Sequence, residues 1–428
     1  LGLCLPKTAW LRLMEQKLHT AEGVRDIYNK ECETKLALQM KLSKVLHLYG
    51  YQDIQTPTFE YYEVFRKEIG STSTQELYKF FDREGNILAL RPDITPSVAR
   101  AAATLFESED KPIRLCYAGN TFINHSSYQG RLKENTQLGA ELIGLDTVEA
   151  DAEMIAMVVD GLKQVGLKEF QISLGHVDFV RSLMEAAGLE EEESREIRTL
   201  ITNRNFFGVE EMLDERKVTA EVKEAFRLLP ELTGGEEVLG QAMQAAPDIK
   251  AKHALLRLEH IFRLLKLYGA DDHITFDLSM SGNYGYYTGI IFRAYTYGTG
   301  DAVVRGGRYD HLLGKFGKDT PSIGFAIIVD ELMSALGRQK IPVETLRRNL
   351  IVYTEATEEQ AISMACDFRR KGRNIELMKR EPGEDREVYE SYGKRTSAAA
   401  MLYLRHDQKI EMVNLVTGEE RIVDIKNG

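Results

Sequence analysis

"YAGNTFINHSSYQGRLKENTQLGAELIG", Tyr117–Gly144, is two extended runs on either side of a polar loop. Read backwards, the first run continues into "PIRLCYAGNTFI", which has strand composition. In the second, Gln137 and Glu141 stand four residues apart, so an extended chain puts both side chains on one face. Two roles are open for the pair: hydrogen bonding buried within a sheet, or contact with a ligand. The ligand role is favoured, because an isolated buried carboxylate is costly. Arg131 and Lys133, in the loop after "SSYQG", read as a solvated face.

Upstream, Leu38, Leu42, Val45 and Tyr49 recur at helical spacing before Gly50, which predicts a helix over Tyr28–Tyr49 with Gly50 as its C′ residue. "ELYKFFD", "NILAL" and "PIRLCYAGNTFI" read as antiparallel neighbours, and "ITPSVARAAATLF" as a helix with proline in its first turn. Downstream, Asp151–Val165 and Phe179 to about Tyr268 are helical and rich in Leu, Glu and Arg. Strands return from "HITFDLSM" to "FAIIVDELMSAL". Past a boundary near Pro342, "NLIVYT", "EEQAISMACDFRRKG", "NIELMK", a polar helical stretch and "AAAMLYL" alternate strand and helix, with a hairpin at "VTGEE". That alternation implies a small α/β domain.

The composition restricts the function. At 428 residues the chain has room for two or three domains of about 100–200 residues. It is 43% hydrophobic and 28% charged, with no apolar run of the ~18 residues a membrane span needs, so no membrane partner is expected. A formal net charge of −11 weighs against nucleic acid as a partner. Cys4, Cys32, Cys116 and Cys366 are scattered, without a CxxC pair or paired histidines. This pattern fits a cytoplasmic protein with no disulfide, no metal and no cofactor. "LGLCLPKTAWLRL" is too short in its apolar core, and too broken by Lys7 and Arg12, for a secretion signal; "MEQKLHTAEG" from Met14 has the look of an ordinary start. Residues 1–18 are expected to be a disordered extension.

"SGNYGYYTG", Ser281–Gly289, is small and aromatic without a charge, the composition of a pocket lining between two apolar runs. If Tyr286 and Tyr287 lie in a strand they point to opposite faces, and at most one contacts a ligand. Asp93, between Pro92 and a helix, is either an N-cap or a ligand contact. "GGRYD" is a glycine bulge or a close backbone approach.

Together, "LRPDITPSVAR" (Leu90–Arg100), the opening stretch, "YYTG" (Tyr286–Gly289), "RGGRYD" (Arg305–Asp310) and "IGFAIIVDEL" (Ile323–Leu332) resemble, in the same order, histidyl-tRNA synthetase and its paralogues. Five motifs in register are a strong signal where one alone is weak. The resemblance runs from about His19 and implies an α+β, class II aminoacyl-tRNA synthetase-like fold. This is an antiparallel sheet with flanking helices over residues 19–340, a helical insertion at about 180–270, and an anticodon-binding-like α/β domain over 347–428.

Carried over residue by residue, the resemblance puts Asp93 and Thr95 at the ligand amino group. Gln137, Glu141, Tyr286 and Tyr287 fall around the ammonium and imidazole of a histidine, with Gly306 and Gly307 admitting close approach. Its catalytic positions are lost. The second-motif arginine is Ile123 and the acidic residue after it His125; the arginine before "YYTG" is Gly282; the third-motif arginine is Glu331, beside Ile328 in place of glycine. An amino-acid half without a nucleotide half resembles the regulatory subunits of ATP phosphoribosyltransferase, the non-catalytic synthetase paralogues of histidine biosynthesis. That likeness implies a short-form catalytic subunit as partner, a homodimer within a hetero-oligomer, and free histidine as a feedback ligand. An active histidyl-tRNA synthetase and a tRNA-sensing pseudo-synthetase are the alternatives; Ile123, Gly282 and Glu331 oppose the first, and the mixed charge of the C-terminal segment the second.

Losing one preorganised donor to a developing charge costs about 2.7–4 kcal/mol, and such losses in one site are not additive. The three replaced arginines therefore predict no histidine-dependent ATP–pyrophosphate exchange and no aminoacylation. Robust exchange by the pure chain, abolished by Asp93→Ala, would restore the ligase reading.

Overall fold

The computed structural model describes residues 19–66, 72–109, 112–125, 131–216, 218–280, 286–407 and 409–424. Residues 1–18 and Gly282 lie outside the described residues. Two compact units emerge, one running from Leu38 to Pro342 and the other from Val343 onward together with Ile27–Ala37.

Helix α1 (Asn29–Leu48) buries Leu38, Leu42, Val45 and Leu46, and the chain turns at Gly50 with φ of 85°. After β1 (Gln52–Asp53), the strands β2 (Phe59–Tyr61), β3 (Lys79–Phe81) and β4 (Ile87–Leu90) form a small antiparallel sheet in the order β2-β4-β3. Then come α2 (Thr95–Leu105), β5 (Ile113–Phe122), β6 (Glu134–Ile143), α3 (Val148–Gln164) and β7 (Phe170–His176). A helical block follows: α4 (Val177–Ala186), α5 (Glu191–Thr202), α6 (Phe206–Glu215), α7 (Ala220–Leu228), the short β8 (Thr233–Gly234), α8 (Glu237–Ala245) and α9 (Ile249–Leu267). The unit closes with β9 (Ile274–Asp277), β10 (Ile290–Thr296), β11 (Val304–Arg308), β12 (Ser322–Ile328) and α10 (Val329–Arg338).

The main sheet has nine strands in the order β1-β5-β6-β12-β11-β10-β7-β9-β8. It is antiparallel except where β1 meets β5 and β7 meets β9, so the expected antiparallel sheet is a mixed one. Both exceptions join strands separated in sequence by a long crossover, the connection a parallel pair requires. A second difference concerns "PIRLCYAGNTFI". It does not pair with "NILAL": α2 intervenes, and the two runs belong to different sheets.

In the C-terminal unit, β13 (Arg348–Tyr353), α11 (Glu358–Arg370), β14 (Asn374–Lys379), α12 (Arg386–Arg395), β15 (Ala400–Leu404), β16 (Lys409–Asn414) and β17 (Glu420–Asp424) follow the predicted alternation and hairpin. Their order is β14-β13-β15-β16-β17. Alternate strand residues feed opposite layers. Leu350, Val352, Met401 and Tyr403 pack with Tyr389 of α12, whereas Ile351, Leu402 and Leu404 pack with Ala361 and Ala365 of α11.

The "RGGRYD" segment is pinned in the first unit by a buried ion network. The Arg308 guanidinium, 2% exposed, donates from Nε (3.0 Å) and Nη2 (2.6 Å) to one oxygen of the fully buried Asp151 carboxylate in α3. The other Asp151 oxygen accepts from Arg257 Nε of α9 at 2.7 Å. Arg308 Nη1 serves the Leu145 carbonyl at 2.9 Å and Asp310 at 3.1 Å. Asp310 in turn receives Thr288 Oγ1 at 2.7 Å, which ties "YYTG" to "RGGRYD". Breaking a buried pair on one side leaves an uncompensated charge at a cost of about 3–5 kcal/mol. Arg308→Met is therefore expected to lower the unfolding free energy of the first unit, read from urea denaturation, by that order; a loss under ~1 kcal/mol would show the network to be dispensable.

Candidate functional site

One end of the main sheet, with the start of α2 and the segment before β10, encloses a cavity of about 320 Å³. Its floor is made by one face of β6, β12 and β11. Gln137 is opposite Ile328, Gly139 opposite Ala326, and Glu141 opposite Gly324; on the other side Ala326 is opposite Arg305, and Gly324 opposite Gly307. Small residues leave room above the sheet, and neighbouring side chains use some of it. A side chain on Gly139 would collide with the Tyr117 phenol, on Gly324 with the Glu141 carboxyl, and on Gly307 with the Tyr287 ring, 2.6 Å away. Glycine is required at these positions for close approach.

The walls come from two places. At the start of α2, Ile94 N–H donates to Gln137 Oε1 at 3.3 Å and Thr95 N–H to Asp93 Oδ1 at 3.4 Å, so Gln137 and Asp93 satisfy helix-end donors as well as facing the cavity. Tyr286 donates to Asp93 Oδ2 at 3.4 Å. Its ring lies 4.9 Å from that of Tyr287 and meets Tyr309 edge-on at 5.9 Å, giving an aromatic wall. Both tyrosines line the cavity, against the expectation that only one would. The reason is local: strand β10 begins at Ile290, so strand alternation does not apply to Tyr286 and Tyr287.

Of the residues expected around a ligand, Asp93, Thr95, Gln137, Tyr286, Tyr287 and Gly307 line the cavity. Gly306 does not. It faces the opposite side of β11, against the Phe292 ring, because adjacent strand residues alternate. Nor does Glu141 line it: on the same face of β6 as Gln137 but fully buried, its carboxyl accepts from Thr95 Oγ1 (2.7 Å), Tyr117 (3.2 Å) and Tyr309, which close it off from the cavity. The favoured ligand role thus gives way to the buried hydrogen-bonding one. Burial drives the Glu141 carboxyl up to about 8, against the lowering effect of the Tyr309, Thr95 and Tyr117 hydrogen bonds.

The positions of the lost arginines are here too: Ile123 and Glu331 line the cavity, with His125 and Ile328. Glu331 sits in the first turn of α10, where a helix N-terminus favours an acid. His125 pairs with Glu76, Nδ1 to Oε1 3.3 Å. Arg131 is exposed, as expected, and also lines the cavity; Arg305, Asp301 and Tyr309 join it without having been singled out. For Arg305 and Tyr309 a signal existed: Arg305, Gly307 and Tyr309 are two apart, the strand period, so Gly307 predicts both neighbours. Elsewhere among the described residues, His47, Asp53 and Cys116 bring ligand-type atoms within 4.8 Å of one another, but their atoms already bond each other, His47 Nε2 to Asp53 at 3.0 Å and Cys116 Sγ to Asp53 at 3.5 Å.

The folded state keeps the Glu141 proton to about pH 8, whereas an ordinary glutamate releases it near 4.5, so folding takes up a proton across that window. The stability from this group is complete below pH 4.5 and is lost as pH rises through 8. Glu141→Gln, neutral throughout, is expected to flatten the fall in urea midpoint between pH 5.5 and 8.5; an unchanged slope would show that Glu141 is ionised in the fold.

The histidyl-tRNA synthetase family model matches residues 23–332. The ATP phosphoribosyltransferase regulatory subunit of Acetivibrio thermocellus is 38% identical over 414 residues, 96% of this chain and 99% of that protein. That of Thermoanaerobacter pseudethanolicus is 38% identical over 361 residues, 84% and 94% of the two chains. Among solved structures, an ATP phosphoribosyltransferase regulatory subunit/histidyl-tRNA synthetase from Bacillus halodurans superposes with a TM-score of 0.80 at 30% identity, covering 90% of this chain and 97% of that one. Histidyl-tRNA synthetase from Nostoc matches with a TM-score of 0.80 at 19% identity, covering 95% and 96%, a likeness of fold alone. At the identity and coverage it shares with the first two, the chain belongs to the family of ATP phosphoribosyltransferase regulatory subunits.

Proposed function

We propose that the chain is the non-catalytic regulatory subunit on which a short-form ATP phosphoribosyltransferase catalytic subunit depends, in the first step of histidine biosynthesis in the cytoplasm. We further propose that the cavity takes free histidine as a feedback signal. The observation that carries the non-catalytic part is Glu331. It puts a carboxylate on the cavity wall where the resemblance expects an arginine on phosphate.

Like charges about 4 Å apart at an effective dielectric near 20 repel by roughly 4 kcal/mol. Across the whole lining, Asp93, Asp301 and Glu331 outnumber Arg131 and Arg305, which suits a zwitterion better than a triphosphate. An imidazole and an ammonium find complementary groups in Asp93, Gln137 and the tyrosines.

Self-association as a homodimer within the hetero-oligomer is supported by the small sheet. Phe59, Tyr61 and Phe80 lie on one of its faces and are all exposed, Tyr61 at 57%. Among the described residues no helix is long and apolar enough to cross a membrane.

The catalytic subunit alone is expected to be inactive or nearly so, and addition of this chain to restore ATP phosphoribosylation, with the two co-eluting at a mass above one copy of each. Histidine should inhibit the assembly, because it binds one state better than the other. A catalytic subunit that runs at full rate alone and does not co-elute overturns the proposal.

A further inference from the structure

Arg305 rises from the cavity floor on the same face of β11 as Gly307. Opposite it on β12 is Ala326, and beyond that, on β6, Gly139. From Arg305 toward the Gln137 wall the floor carries the Ala326 methyl group and then Gly139, on which the Tyr117 phenol is seated. Strands lie ~4.8 Å apart, so two strand spacings make about 10 Å, a span that an arginine side chain and an amino acid bridge together.

The lining is divided by charge. Asp93, Tyr286 and Gln137 cluster at the start of α2. Arg305 lies across the floor on β11 and gives Nη2 to Asp301, which orients the guanidinium. An isolated exposed ion pair contributes little to stability, but a guanidinium held at the edge of a cavity presents a planar fork of donors that matches a carboxylate. Arg131 acts on the same Asp301 carboxylate, so this end sets two guanidinium groups against one carboxylate and suits one further negative charge rather than several.

We propose that Arg305 is the carboxylate anchor of the cavity, and that the ligand class is a free α-amino acid held by its carboxylate at Arg305 and by its cationic groups at Asp93 and the tyrosines. This rests on the histidine-pocket reading above. It assigns to β11 the carboxylate contact that the replaced arginines at Ile123 and Gly282 no longer make.

The test is calorimetric titration of L-histidine and of histamine, which has the same ring and ammonium but no carboxylate, into the full chain and into its assembly with the catalytic subunit. The wild type is expected to prefer histidine by about ten- to a hundredfold, the range of one charge-assisted hydrogen bond. Arg305→Leu should bring histidine down to the histamine level and leave histamine unchanged, and Arg305→Lys should recover part of the preference, restoring charge without the fork. Equal wild-type affinities, or an Arg305→Leu chain that still prefers histidine, would overturn the anchor while leaving the pocket reading intact. A wild type that binds neither molecule in either form overturns both.

Discussion

The Arg308–Asp151 pair is the constraint on which the site depends. It is closed to solvent on both sides, so its charges have to be met by protein donors and acceptors. Those partners come from distant parts of the chain. Asp151 brings α3, Arg257 brings α9, and Asp310 brings the segment carrying Tyr286 and Tyr287 through Thr288. Ser322 N–H of β12 also donates to Asp310, at 3.2 Å. One guanidinium thereby fixes the helical block and the tyrosine wall relative to the sheet. Such a network contributes to a single arrangement more securely than to raw stability, since an apolar replacement of the same volume is often equally stable.

The cavity shows how a fold outlasts its chemistry. Its floor is a packing solution: glycines on β6, β12 and β11 receive the Tyr117, Glu141 and Tyr287 side chains. Changing any of these positions disturbs neighbours on adjacent strands, so they are held by sterics. The groups that would meet a nucleotide carry no such burden. Ile123 and Glu331 lie on the walls, where a residue has only to fill the space or suit a helix start, as Glu331 does in the first turn of α10. On the proposed reading, a synthetase-like architecture persists around a site without its phosphate contacts.

Glu141 illustrates the limit of transferring a role by position. Motif alignment puts it beside the ligand, yet its carboxyl, on the cavity face of the sheet, is enclosed by three hydroxyls and rises to about 8 because it is buried. A carboxyl that keeps its proton at neutrality is a hydrogen-bonding strut rather than a fixed anion. That leaves Asp93, on the wall, as the carboxylate facing the cavity from the α2 side.

The sequence by itself determined whatever depends on local periodicity and on motif order. The alternating strands and helices after Pro342 and the helix ending at Gly50 were legible in it, because each is a property of neighbours in the chain. Which strands pair was not legible. "NILAL" and "PIRLCYAGNTFI" have the same strand composition, and only the path through α2 sends them to separate sheets. Nor was the direction of a side chain at a strand boundary, which let Tyr286 and Tyr287 face the same cavity. The tertiary structure alone decided that Arg131 shares one space with Asp93 and Arg305, and that Glu141, on the same face of the sheet, is closed off from it by Thr95, Tyr117 and Tyr309. Register across β6, β12 and β11 sets those positions, and register is fixed by packing between residues far apart in sequence.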